Sequence, residues 1–150
     1  MLITNHVLSG AFIGVHTRTP TQAVALGVIS HLLLDTVPHY GSAHLTQQQY
    51  AVLTEVDGFL GLAAAATILA TVPRQSRARV AAGIFGACLP DTDKPLTRFF
   101  GKKQWHPQVF RKIHYSFQRE HSSLATEILV AALFTAFAVT AVQTERNRYG

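Results

Sequence analysis

Apolar residues recur along this chain at helical spacing, and no stretch alternates polar and apolar positions as a half-buried strand would. In TPTQAVALGVISHLLLD, Thr19 stands as an N-cap, Pro20 at the first helical position and Gln22 at the far corner of a capping box. That predicts a helix over about Pro20–Thr36, stopped by Pro38. A second box, Thr46 with Gln49, opens a helix over about Gln47–Thr71 that Pro73 ends. A shorter helix over about Ala78–Cys88 runs into LPDTDKP, where two prolines flank two aspartates and read as a turn. KPLTRFFGKKQWHP reads as a basic, aromatic-containing connection, followed by helices over about Pro107–Glu120 and Ser123–Gln143 and a charged tail, ERNRYG. With a further helix at the N-terminus, the pattern describes an all-α chain. It is a compact bundle of about five to six helices forming one domain over 1–150, without internal repeat, low-complexity tract or dividing linker.

Two apolar runs, GFLGLAAAATILATV at 58–72 and ILVAALFTAFAVTAV at 128–142, fall short of the ~20 residues of a confident membrane span. Arg74, Arg77 and Arg79 precede the helix over 80–89, and a basic segment over 94–119 follows it. If every apolar helix spanned, cations would lie on both faces, against the positive-inside rule. The reading is therefore a bundle partly embedded in, or apposed to, a bacterial-type cytoplasmic membrane, integral or peripheral. The N-terminal MLITNHVLSGAFIGVH lacks the basic start and cleavage site of a secretory signal and reads as mature sequence.

Composition narrows the chemistry. Charged residues make up 14% of the chain, against ~25% in ordinary soluble domains, while the 48% hydrophobic content excludes a disordered chain. A single cysteine, Cys88, excludes a disulfide framework and a cysteine-based zinc cluster. Histidines number 8, as many as Asp and Glu together, so any metal chemistry must use imidazole and carboxylate.

Four places carry such groups. His31 and Asp35 are four residues apart on one helical face and can share a metal or a proton; the alternative is a helix end whose His and Asp satisfy each other. Asp91 and Asp93 alternate on the LPDTDKP turn and can chelate, or else cap a helix beside a solvated acidic turn. His114 and His121, two turns apart on a helix reaching Glu120, share a face with Gln118 between them; the alternative is the polar seam of an amphipathic helix. His6 stands among apolar residues in TNHVLSG, as a ligand or as a core histidine. His16, His44 and His106 receive no role, and Asp57 reads as a buried partner for an Arg or His.

Taken together, TNHVLSG, ISHLLLD, ACLPDTDKP and QREHSSL resemble the motif set of bacterial inner-membrane-associated metal-dependent hydrolases: an N-terminal His, a PDxDH segment, an HRGxTHS segment and an SHxxxD helix. The motifs stand here in altered order, with Lys94 where the family has His. The resemblance implies His6, His31, Asp35, Asp91, Asp93 and His121 as metal ligands. The helical bundle is also distantly similar in style to zinc-dependent phospholipase C. The expected function is a phosphodiesterase-like, metal-dependent hydrolase, with zinc first and manganese or iron as alternatives, and His114 or His39 transferring protons. Lys94, Arg98, Arg111 and Arg119, with Lys102, Lys103 and Lys112, would attract the phosphoester, on a membrane lipid surface. A different expectation is a non-catalytic protein that binds anionic lipid through the basic 91–120 segment, which carries seven Lys and Arg and three acids. Single-stranded nucleic acid, stacking on Phe99, Phe100, Trp105 and Tyr115, ranks last.

Overall fold

The computed structural model describes residues 1–41, 44–101, 105–121 and 123–149, and it is an all-α fold. Five helices form the body: α1 Ile3–His16, α2 Pro20–Asp35, α3 Gln47–Thr71, α4 Arg74–Cys88 and α7 Ala125–Tyr149. A 3-10 turn, Leu89–Asp91, leads from α4 into two short helices, α5 Asp93–Phe100 and α6 Gln108–Phe117. Two-residue strands, β1 His39–Tyr40 and β2 Glu120–His121, pair in parallel and tie the chain after α2 to the chain after α6.

The capping residues act as the sequence predicts at α3, where Thr46 and Gln49 complete a reciprocal box. At α2 the Thr19 side chain accepts from the Gln22 backbone, but the Gln22 side chain turns to the Arg18 N–H. Four elements differ from the sequence expectation, one of them α6, which ends at Phe117 instead of reaching Glu120. Helix α4 starts at Arg74 because Pro73 sits just before its first turn, where a missing N–H costs nothing. Helix α5 forms where a turn and connection were expected, since Pro95 lies in its first turn; Gly101, at φ 59°, ends it in the left-handed conformation. Helix α7 runs on to Tyr149 through the charged tail.

Helices α1 and α4 are central. Helix α1 packs on α2, α3, α4 and α7, and α4 also packs on α2. Their contact is built from glycines: a Cβ added at Gly10 would lie 2.5 Å from the Gly83 carbonyl oxygen, and one at Gly27 would lie 2.6 Å from the same oxygen. Small residues let helix backbones approach closely, the packing mode of helices that cannot rely on water to drive them together.

The two ends of the body are closed by polar groups. At one end, Asp57 of α3 accepts from the backbone N–H groups of Ile3 and Thr4, and Glu127 of α7 accepts from Leu2 and from Asn5 Nδ2 at 2.6 Å. The free N–H groups of the first turn of α1 are thus held by carboxylates from two other helices, which favour the positive helix end. Asp57, expected beside an Arg or His, serves this turn instead. At the far end, buried Glu145 bonds Ser76, Arg79 and Arg148, and Arg79 also reaches the Val15 and Thr17 carbonyls. This joins the end of α1, the start of α4 and the end of α7, and explains why α7 continues past Gln143. Arg18, Arg74, Arg77 and Arg146 cluster at the same end.

Helices α3 and α7 are long and apolar enough to cross a membrane, at about 37 Å each. Only 11% and 17% of their most apolar stretches are buried in the body, unlike the core helices of a water-soluble bundle. Phe59, Leu62, Ile128 and Leu129 are each more than half exposed.

The glycine contact gives a direct test. Gly83→Val is expected to destabilise by about 1–3 kcal/mol, because backbone on both sides prevents relaxation. Gly58→Ala, which has open space around it, is expected to be neutral or to stabilise by up to ~1 kcal/mol. Denaturant titration of the purified protein in detergent separates the two.

Candidate metal centre

Helix α2 presents His31 and Asp35 one turn apart toward the axis of the bundle, both fully buried. Helix α1 brings His6, also fully buried, so that its ring stacks on His31 with centroids 3.8 Å apart. The turn after α4 brings Asp91, and α6 brings His114 edge-on to His31. The distances are short. Asp35 Oδ2 lies 3.1 Å from both His31 Nε2 and His114 Nε2, and Asp35 Oδ1 lies 3.4 Å from His6 Nε2. Asp91 Oδ1 lies 3.6 Å from His114 Nε2 and 4.0 Å from His31 Nε2, and the two Nε2 atoms are 3.0 Å apart.

Two triads, His6 with His31 and Asp91, and His31 with Asp35 and His114, each place their ligand atoms within 4.8 Å of one another. His31 belongs to both. Its Nδ1 bonds the Ala87 carbonyl at 2.7 Å, which requires a proton on Nδ1 and leaves the Nε2 lone pair facing the cluster. A single lone pair serves a single ion, so the five side chains amount to one metal position rather than two.

The chemistry of the donor set fits a cation. Lone pairs and carboxylate oxygens outnumber the protons available to them. Both ring nitrogens of His6 and Asp91 Oδ1 are buried without a hydrogen-bond partner. The positive groups that do reach the cluster are the Met1 amino group, 2.7 Å from Asp35 Oδ1, and Lys94 Nζ, 2.9 Å from Asp91. Gln118, one turn past His114, donates to Asp35 Oδ2 at 2.7 Å.

The electrostatics follow from these contacts. Burial first, and the neighbouring His31 second, push the His6 imidazole down to about 3, keeping it neutral. Burial opposes ionisation of Asp35, but the hydrogen bond with His114, with His31 and His6 close by, outweighs it and holds the carboxyl below its ordinary range. Asp91 is likewise buried, which opposes its charge, yet the Lys94 ammonium beside it holds the carboxyl below its ordinary range. Partial desolvation disfavours the Lys94 ammonium, but the Asp91 carboxylate 2.9 Å away outweighs this and raises it above its ordinary range.

Other sequence candidates lie elsewhere. Asp93 Oδ1 accepts the Trp105 and His106 N–H groups at 3.0 and 3.3 Å, closing the connection between α5 and α6. His121 is exposed on β2, where its Nδ1 accepts the Ser123 N–H. His39 is buried with Nδ1 against the Val37 carbonyl. Of the basic side chains, Arg98 pairs with Glu55 at 2.8 Å, while Arg119 contributes backbone: its N–H bonds the Asp35 carbonyl and its carbonyl the His39 N–H. Arg111 keeps a buried Nε without a partner, and the exposed Lys112 follows it on α6. Lys102, Lys103 and Ser122 lie outside the described residues. Gln118 was passed over in sequence except as a spacer; its place four residues after His114 was the available signal.

In the metal-free protein His6 gives a signed pH dependence. Its folded pKa is lowered, so the unfolded chain takes up the proton first, and stability falls as pH drops from about 6.5 toward about 3. His6→Gln is expected to reduce the slope of unfolding free energy against pH over that window by up to about 1.4 kcal/mol per pH unit. Denaturant unfolding at a series of pH values after chelation measures it.

Compared with protein-family models, curated proteins and solved structures, the chain matches none.

Proposed function

We propose that this chain is a membrane-embedded, metal-dependent hydrolase of phosphoesters. The observation that supports the reading is the convergence of His6, His31, Asp35, Asp91 and His114, from three helices and a turn, into one buried set of acceptors with too few protons. Carboxylate and imidazole sites in helical bundles are assembled in this way. In this reading His6, His31, Asp35 and Asp91 hold one divalent ion, zinc first and manganese or iron as alternatives. Such an ion lowers the pKa of water at the site and takes up charge on phosphoryl oxygens.

The remaining roles fall to the chain itself. His114, in contact with both carboxylates, moves the proton between water and the leaving group. Gln118 fixes the Asp35 carboxylate by its 2.7 Å bond to Oδ2, while Oδ1 lies against the Met1 amino group and His6. Lys94 is half exposed, at 46%, and stands between Asp91 and solvent, where its ammonium receives the anionic group of the substrate. Arg111, three residues before His114 on α6, supplies a second cation from the same side. In this reading the reaction takes place at a cytoplasmic-type membrane, with a lipid or other membrane-proximal phosphoester as substrate; two helices long and apolar enough to cross a membrane support it.

Metal analysis and turnover test this reading together. The purified protein is expected to carry close to one equivalent of zinc, manganese or iron, and to hydrolyse an activated phosphodiester. Asp35→Asn and Asp91→Asn are each expected to lower metal affinity by about 10–100-fold and to abolish turnover, while helical content persists. A chain that binds none of these metals and shows no turnover with any of them added back sinks the proposal.

A further inference from the structure

Helices α5 and α6 carry apolar faces that nothing among the described residues covers. Leu96, Phe99 and Phe100 fall on one face of α5, and Phe99 and Phe100 are 61% and 69% exposed. On α6, Val109 and Ile113 stand one turn apart and are 70% and 47% exposed, while His114 on the opposite side enters the metal centre. Trp105, between the two helices, is also exposed. Cations occupy other positions of the same helices: Lys94 and Arg98 on α5, Arg111 and Lys112 on α6.

The level of this surface is marked by a contact. Arg98 of α5 bonds Glu55 through both Nε and a terminal nitrogen, at 3.0 and 2.8 Å. Glu55 lies about two turns into α3, where a polar start, QQQYAVLTE, gives way to VDGFLGLAAAATILATV. The exposed apolar face of α5 therefore stands at the height at which the apolar part of α3 begins. On α7 the same end of the body changes from Ser123 to the exposed Leu124, Ile128 and Leu129.

We propose that α5, Trp105 and the first turns of α6 lie in the headgroup and acyl boundary of a lipid bilayer, on the side of the body that holds the His/Asp cluster. Short amphipathic helices with aromatic residues on one face and cations on the other occupy this boundary, buried roughly 5–10 Å. Tryptophan favours it as well. The occupant is lipid rather than another protein because α3 and α7, which have the length and composition of spans, expose apolar residues of their own beside this end of the body. The inference does not depend on metal or turnover. It adds that the exposed Lys94, which pairs with Asp91 of the cluster, lies on the same short helix as this surface.

Trp105 is the chain's only tryptophan and reports on its own surroundings. The full chain is reconstituted into phosphatidylcholine and phosphatidylglycerol vesicles containing brominated lipid. Bromine near the headgroup end of the acyl chain is expected to quench Trp105 fluorescence about twofold more than bromine near the chain terminus, and aqueous iodide to quench weakly. In Phe99→Ser/Phe100→Ser the lipid quenching is expected to fall and the iodide quenching to rise, with metal content unchanged. Strong iodide quenching with no effect of either bromolipid in the unmodified protein would overturn the proposal. So would a Trp105 shielded from both quenchers whose emission shifts red on dilution among the vesicles, which would assign the surface to a second copy of the chain.

Discussion

A carboxylate sealed inside a helical bundle has to be compensated, and in this protein much of the architecture at one end is arranged around that demand. Asp35 has no access to water, and its two oxygens are met by His6, His31, His114, Gln118 and an amino group. These partners come from α1, α2, α6 and the residue that follows α6. Desolvating a charge costs several kcal/mol, and removing one partner of a buried pair leaves that cost unanswered. Helix packing at this end and the constitution of the polar cluster are therefore a single requirement. The same principle operates at the first turn of α1, where Asp57 and Glu127 are charged groups placed against free N–H groups, and so fix the helix that carries His6.

Sequence and structure agree most closely where the interaction is local. The Thr46 and Gln49 box is completed within four residues, and α3 occupies Gln47–Thr71 as the pattern predicts. His31 and Asp35 share a helical face because four residues make about one turn. The disagreements arise where one local assumption governs several residues. Asp91 and Asp93 were paired on the premise of an extended turn. The chain there is a 3-10 turn running into a helix, and residues two apart on a helix point to nearly opposite sides. Asp91 consequently turns inward and Asp93 outward to Trp105 and His106. His114 and His121 were placed on one face of a helix reaching Glu120, but α6 ends at Phe117 and the chain beyond it pairs with β1. The helical position next to His114 is filled by Gln118.

Long-range compensation was not legible at all. Nothing local to ERNRYG indicates that Glu145 will be buried against Ser76 and Arg79, which is what extends α7. Nor does the local excess of cations over 91–120 act as an isolated basic field. Asp35, Glu55, Asp57 and Glu127 come from distant parts of the chain to the same end of the body, where they offset it. Glycine packing was equally hidden, since the spacing of Gly10, Gly83 and Gly86 acquires meaning only when α1 and α2 are laid against α4.

The arginine cluster around Glu145 has a consequence for the molecule as an electrical object. Six arginines and one glutamate gather there, while the remaining seven Lys and Arg are matched by seven Asp and Glu. The entire formal charge of +5 is therefore the charge of one pole. Among the described residues, the end that carries the His/Asp cluster holds no excess of Lys and Arg over Asp and Glu, and an anion approaching it meets only the particular side chains that face it. In any field that falls off across the molecule, such a charge distribution has a lower energy in one orientation than in the other, with its arginine end toward the more negative surface.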